Sequence, residues 1–174
     1  VEFGVNVLKL AGLKGIFSNI VSESVSYVNA PLLAEARGIT VRLSTDATSS
    51  EYRNLLRISG SLSSGATISV SGTLTGTKQT QKIVEINGYD VEVPVAEHLI
   101  VMIYTDRPGI VAIYGKEFGE AGINIAGMQI ARQSKGGQAL SVLTVDSPVP
   151  DELLASVATA IKAELLREID IVDA

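Results

Sequence analysis

YTDRPGIVAIYGKEFGEAGINIAG, residues 104–127, decides how the second half of this chain is read. The apolar run HLIVMIY, 98–104, leads into it and predicts a buried strand. Asp106, Arg107, Pro108 and Gly109 then separate that strand from a second pattern. Ile110, Ile113, Tyr114, Glu117 and Phe118 recur at i, i+3, i+4, i+7 and i+8, four of them apolar, which predicts an amphipathic helix. Gly119 and Gly122 are placed to end it. INIAGMQIAR, 123–132, follows as a strand whose alternation slips around Gly127, the mark of a bulge.

Outward from this stretch, Lys135-Gly136-Gly137 makes a turn into the strand QALSVLTVD, 138–146. Pro150, Asp151 and Glu152 open a second helix, with acids at its positive end. Leu153, Leu154, Val157, Ile161 and Leu165 are its expected buried stripe, and Ile169 and Ile171 mark a final strand. The order β-α-β-β-α-β over residues 97–174 predicts a ferredoxin-like unit with both helices on one face.

Residues 1–94 read as a separate α+β unit, joined by a short linker around 94–97. VNVLKL, 5–10, alternates enough for a strand, and the start VEFGVNVLKL reads as a chain entered mid-strand, a fragment of a longer protein. Ile16, Phe17, Ile20, Val21, Val25 and Val28 predict a helix. Pro31 starts another, Gly38 stops it, and ITVRLS, 39–44, predicts a short strand. NLLRISG, ATISVSGTLTG and KIVEING are strands separated by Ser-Gly and Thr-Gly turns. Asn87-Gly88 predicts a tight hairpin into YDVEV.

Composition excludes several classes. Hydrophobic residues make up 46% and charged residues 19%, which suits a packed core. With 14 basic against 19 acidic residues the chain carries net charge −5, against a nucleic-acid partner. It has no cysteine, so disulfides, iron–sulfur clusters and zinc–thiolate sites are ruled out, and a reducing cytoplasm is the expected location. No apolar run approaches the ~20 residues of a membrane span. His98, the only histidine, has no evident carboxylate partner and is read as structural, so no metal site is expected. No G-x-S-x-G elbow or Gly-x-Gly-x-x-Gly before a helix occurs.

The segment 106–109 supports two readings. If Pro108 takes the first helical position, Arg107 is the cap and the amides of residues 109–111 point outward at the positive helix end, where a carboxylate binds. Gly109 lets a ligand approach closely, Asp106 takes an ammonium, and Asn124 offers donor and acceptor. That is a receptor for an α-amino acid. In the other reading Asp106 caps the helix by accepting the Gly109 amide, and Asn124 is a loop residue. Tyr104 belongs to the core or rim unless the site is shared between subunits.

At these residues, with the β-α-β-β-α-β order, DRPGIV (106–111) and GINIAGMQIAR (122–132), the sequence resembles an ACT domain, the amino-acid-sensing module of metabolic enzymes. NAPLLAEARGI (29–39) and SGTLTGTKQTQKIVEING (71–88) resemble the intervening, allosteric substrate-binding domain of long bacterial D-3-phosphoglycerate dehydrogenases. The resemblance implies the carboxy-terminal regulatory part of the first committed enzyme of serine synthesis, with NAD bound only by the catalytic part of the parent enzyme. It implies a homo-oligomer paired through ACT domains and inhibited by L-serine at their interface. Tyr104, Asp106, Pro108, Gly109, Ile110 and Val111 would come from one subunit, Asn124 and Ile125 from the other. In the first domain the resemblance implies a site for a phosphate-bearing anion, with Lys82, and less clearly Lys78, as its basic residues. Asp90 and Glu92 nearby oppose a phosphate. No dehydrogenase activity is expected of this chain; turnover in an NADH-absorbance assay would show otherwise. Two alternatives stand beside this one: a ligand-free oligomerisation segment whose sheet pairs edge to edge, and the regulatory region of a serine dehydratase.

Overall fold

The structure, a computed structural model, describes residues 4–49 and 51–171. The chain divides spatially at Glu51/Tyr52 into two units.

In the first unit, helix α1 spans Val5–Ser18 and α2 spans Ala30–Ala36. The strand expected over 5–10 is therefore helix, and residues 1–3 of the expected opening lie outside the described residues. Val5 and Val7 alternate too briefly to outweigh Leu13 and Phe17, which lie one helical turn apart and bury against Ala30 and Ala34. The helix expected to run to Val28 stops at Ser18. Beyond it, the Asn29 carboxamide accepts from the Ser26 amide at 2.7 Å and donates to the Ser24 carbonyl at 2.9 Å. Such side-chain bonds offer the backbone an alternative to the helix. Pro31 lies in the first turn of α2. Gly38, at φ 67°, ends it, with Ile39 N–H returning to the Ala34 carbonyl. The strand expected over 39–44 pairs with no strand among the described residues and is irregular; Val41 instead packs on the Leu13–Phe17 cluster.

The second unit holds two antiparallel four-stranded sheets. The first is β1 (Leu56–Ser61), β2 (Thr67–Thr75), β3 (Thr80–Ile86) and β4 (Tyr89–Pro94), in sequence order. Asn87 and Gly88 take φ 50° and 80°, the pair of positive angles that a two-residue hairpin turn needs. The second comprises β5 (His98–Thr105), helix α3 (Ile110–Glu120), β6 (Ile125–Arg132), β7 (Gln138–Val145), helix α4 (Asp151–Ile161) and β8 (Leu165–Asp170). Its strand order is β6-β7-β5-β8, the expected ferredoxin-like arrangement.

HLIVMIY is continuously apolar because β5 is covered on both faces. Ile100, Met102 and Tyr104 meet Tyr114 and Phe118 of α3 and Val157 and Ile161 of α4. Leu99 and Val101, with Leu140 and Val142 of β7, meet Tyr89, Val91 and Val93 of β4. At Gly127 the β6–β7 register slips, as the alternation foretold, and an added Cβ would lie 2.7 Å from Thr144 Oγ1. Helix α4 is shorter than its expected stripe: Lys162 turns left-handed at φ 55°, so Leu165 opens β8 instead. No helix among the described residues is long and apolar enough to cross a membrane.

Candidate functional site

The chain leaves β5 at Thr105 and must reverse onto the sheet face as α3. Gly109 makes that bend as the N-cap, at φ 91°, a conformation that side-chain-bearing residues rarely adopt. Helix α3 therefore starts at Ile110, two residues later than the Pro108 start expected, and Pro108 with Arg107 lies outside it. The first bond to the cap carbonyl is Ile113 N–H to Gly109 at 3.1 Å, so the amides of Ile110, Val111 and Ala112 precede the helical ladder. No side chain caps this end. An ideal Cβ on Gly109 meets no heavy atom within 4 Å, which leaves the amide row approachable.

Asp106 does not cap the helix. Its backbone N–H donates to the Gly137 carbonyl at 2.7 Å. Its carboxylate accepts from Arg132, at the end of β6, at 3.1 Å. Arg107 turns the other way and donates to the Ile161 carbonyl at the negative end of α4. Of the remaining predicted residues, Pro108 and Val111 are exposed and Ile110 is buried. Tyr104 is also buried, its hydroxyl 2.6 Å from Ser141 Oγ, and belongs to the core. Asn124 is exposed and donates its amide to Asp146 at 2.6 Å; a carboxylate partner fixes the amide orientation and leaves Oδ1 as an acceptor. Ile125 is half-buried at the start of β6.

Sheet register separates these groups into two sets. Strands β5 and β6 both run antiparallel to β7 and hence parallel to each other. Ala139 pairs with Tyr104 on one side and Arg132 on the other, while Val145 pairs with His98 and Ile125. Asp106 and Gly109 thus follow one end of the sheet, and Asn124 precedes the other. Seven residues of strand put them roughly 23 Å apart, beyond the reach of one amino acid.

Lys82 pairs with Glu92 at 3.0 Å, and Lys78 is exposed in the β2–β3 turn. His98, expected to lack a carboxylate partner, has one: Nδ1 lies 2.7 Å from Asp170 and Nε2 lies 4.0 Å from Glu97. The Asp170 hydrogen bond raises the imidazole above its ordinary value against a smaller opposing effect of burial. The β5–β8 register, which pairs residues 72 positions apart, put this carboxylate beyond sequence reasoning. Ligand-type atoms of His98, Glu168 and Asp170 lie within 4.8 Å of one another. Glu168 also accepts the Val149 amide at 2.9 Å, and with the His98–Asp170 bond the cluster ties β8 to β5 and to the segment before α4.

The fold defines an α+β region: an intervening-type domain followed by an ACT-like βαββαβ unit. Residues 1–87 match the D-3-phosphoglycerate dehydrogenase intervening domain, and the chain belongs to that family. It is 35% identical over 167 residues to D-3-phosphoglycerate dehydrogenase of Mycobacterium tuberculosis (strain ATCC 25618 / H37Rv), covering 96% of this chain and 32% of the relative. The namesake from Mycobacterium leprae is 31% identical, covering 96% and 32%. That from Synechocystis is 32% identical over 150 residues, covering 86% and 27%. The chain spans about 27–32% of the length of these relatives.

Proposed function

We propose that this chain is the effector-binding part of a D-3-phosphoglycerate dehydrogenase, and that it binds L-serine between two copies of its ACT-like unit. The carrying observation is the separation of Asp106 and Asn124 at opposite ends of one sheet. Strand β6 is an edge. Pairing two β6 edges antiparallel about a two-fold axis brings the start of one β6 beside the end of the other. Asn124 of one copy then approaches Asp106 and Gly109 of its partner, which pairing through β8 does not achieve. The serine carboxylate takes the amides at the start of α3, where the helix dipole favours negative charge. The ammonium takes Asp106, and the Asn124 carboxamide oxygen orients it.

Serine regulates the parent, an NAD-dependent oxidoreductase, to the extent that it binds one arrangement of the pair more tightly than another. A coupling of about 1–3 kcal/mol is ordinary for such devices. Thermal unfolding and calorimetry test the reading. L-Serine raises the melting temperature of the chain, because it binds the folded state alone. Asp106→Ala weakens serine binding about tenfold or more, the loss of a charge-assisted hydrogen bond, while circular dichroism stays unchanged. A folded chain that ignores millimolar L-serine leaves only an oligomerisation segment.

A further inference from the structure

We infer that Arg132 sets the affinity of this site: its guanidinium holds the position on Asp106 that the effector's ammonium needs, and the effector must compete with it. This rests on the serine-site reading above and adds an internal competitor to it.

Three placements carry the inference. Register pairs Arg132 with Ala139 and Ala139 with Tyr104, so the end of β6 and the exit of β5 meet at one corner of the sheet. The backbone bond from Asp106 N–H to Gly137 at 2.7 Å closes that corner, tying the acid to the β6–β7 hairpin that carries Arg132. Second, Arg132 is the ion-pair partner of Asp106 among the described residues, whereas the neighbouring Arg107 is spent on the end of α4. Third, the two side chains differ in exposure: 60% for Arg132 and 25% for Asp106. In the single chain the guanidinium is the more exposed partner and the acid the more recessed, so releasing the pair disturbs no core packing.

An arriving ammonium meets one of two costs. It displaces the guanidinium, or it shares the carboxylate with it and the two cations repel across a few ångströms. Displacement scales apparent affinity by the fraction of chains in which Asp106 is accessible, and sharing lowers it by the repulsion between the two cations. Exposed ion pairs are weak, so the tax is modest and adjustable, and salt relieves it.

Isothermal titration of the full chain with L-serine tests this, comparing wild type, Arg132→Gln and Arg132→Lys. Arg132→Gln binds serine about two- to fivefold more tightly than wild type. Arg132→Lys, which keeps the charge and loses the planar fork, falls between them. The ratio between wild type and Arg132→Gln shrinks towards one in about 1 M salt. If Arg132→Gln binds serine equally or more weakly while remaining folded by circular dichroism, the inference is overturned, weaker binding showing that the guanidinium holds the effector itself. If neither wild type nor Arg132→Gln binds serine, the serine-site reading fails instead.

Discussion

Glu85 and His98 are two ionisable residues whose neighbours decide what acid or base does to this protein. Burial alone pushes the Glu85 carboxyl up. Hydrogen bonds from Ser69, the Gly88 amide and Ser71, with Arg57 nearby, outweigh burial and hold it below its ordinary value. A carboxyl lowered in the folded state stabilises above its unfolded value, and that contribution is lost as pH falls through the folded one. Glu85→Ala therefore costs about 2 kcal/mol at neutral pH, visible as a lower denaturant midpoint, and the cost shrinks in acid. His98 behaves in the opposite sense. Its raised imidazole faces Asp170, Glu97 and Glu168, so the protonated form is favoured on folding. The stabilisation is full below about pH 6.5, the unfolded value, and fades as pH rises through the folded one. Melting temperatures measured across neutral pH show this decline in wild type and lack it in His98→Gln; identical profiles rule it out. The Lys82–Glu92 pair is similarly informative, because an anion approaching Lys82 meets a carboxylate already in place.

At the scale of elements, the β5–α3 junction combines strain tolerance with chemistry. Gly109 at φ 91° is the hinge of the turn, and its replacement forces a left-handed side-chain-bearing residue at about 1–2 kcal/mol. Gly109→Ala accordingly lowers the unfolding free energy by that amount, seen as a lower denaturant midpoint, and because the helix start is displaced it also weakens serine binding. Unaltered stability in this variant is incompatible with the observed backbone angle. Gly127 has a different basis: its φ is ordinary, but a Cβ there meets Thr144 Oγ1 at 2.7 Å, so the bulge and close packing select glycine. In α3, Ile110, Tyr114 and Phe118 form the buried stripe that the i, i+4, i+8 spacing predicts. Deleting one of these side chains leaves a cavity: Phe118→Ala costs about 3–5 kcal/mol.

For the molecule as a whole, the proposed pairing selects one edge of the second sheet. Strand β6 is one edge and β8 the other. Met128 and Ile130 are exposed large apolar residues on β6, 48% and 39% accessible, on the edge that the proposed serine site requires to be paired. Ile130→Lys places a charge on that edge, a device that blocks edge-to-edge pairing. Sedimentation of this variant shows a smaller assembly than wild type, and serine binding weakens with it, because Asn124 no longer reaches its partner's Asp106. A variant that dissociates yet binds serine as before confines the site to one chain and overturns the paired arrangement.

The second half of the chain was legible from sequence because its signals are local and long. HLIVMIY, the five-residue helical stripe from Ile110 to Phe118, Asn87-Gly88 and the slip at Gly127 each specify their own geometry. Residues 5–28 misled because brief alternation and a Ser-rich tail mimic other periods, and only the burial of Leu13 and Phe17 on Ala30 and Ala34 decides the helix. The family resemblance was likewise readable in NAPLLAEARGI (29–39) and SGTLTGTKQTQKIVEING (71–88), since motif residues are neighbours in sequence. The partners of Asp106, Asn124 and His98 were not. Arg132 on Asp106, Asp146 on Asn124 and Asp170 on His98 join positions 26, 22 and 72 residues apart. Such pairs are set by strand register, and register follows from how sheets pack on helices and on each other, a property of the assembled fold.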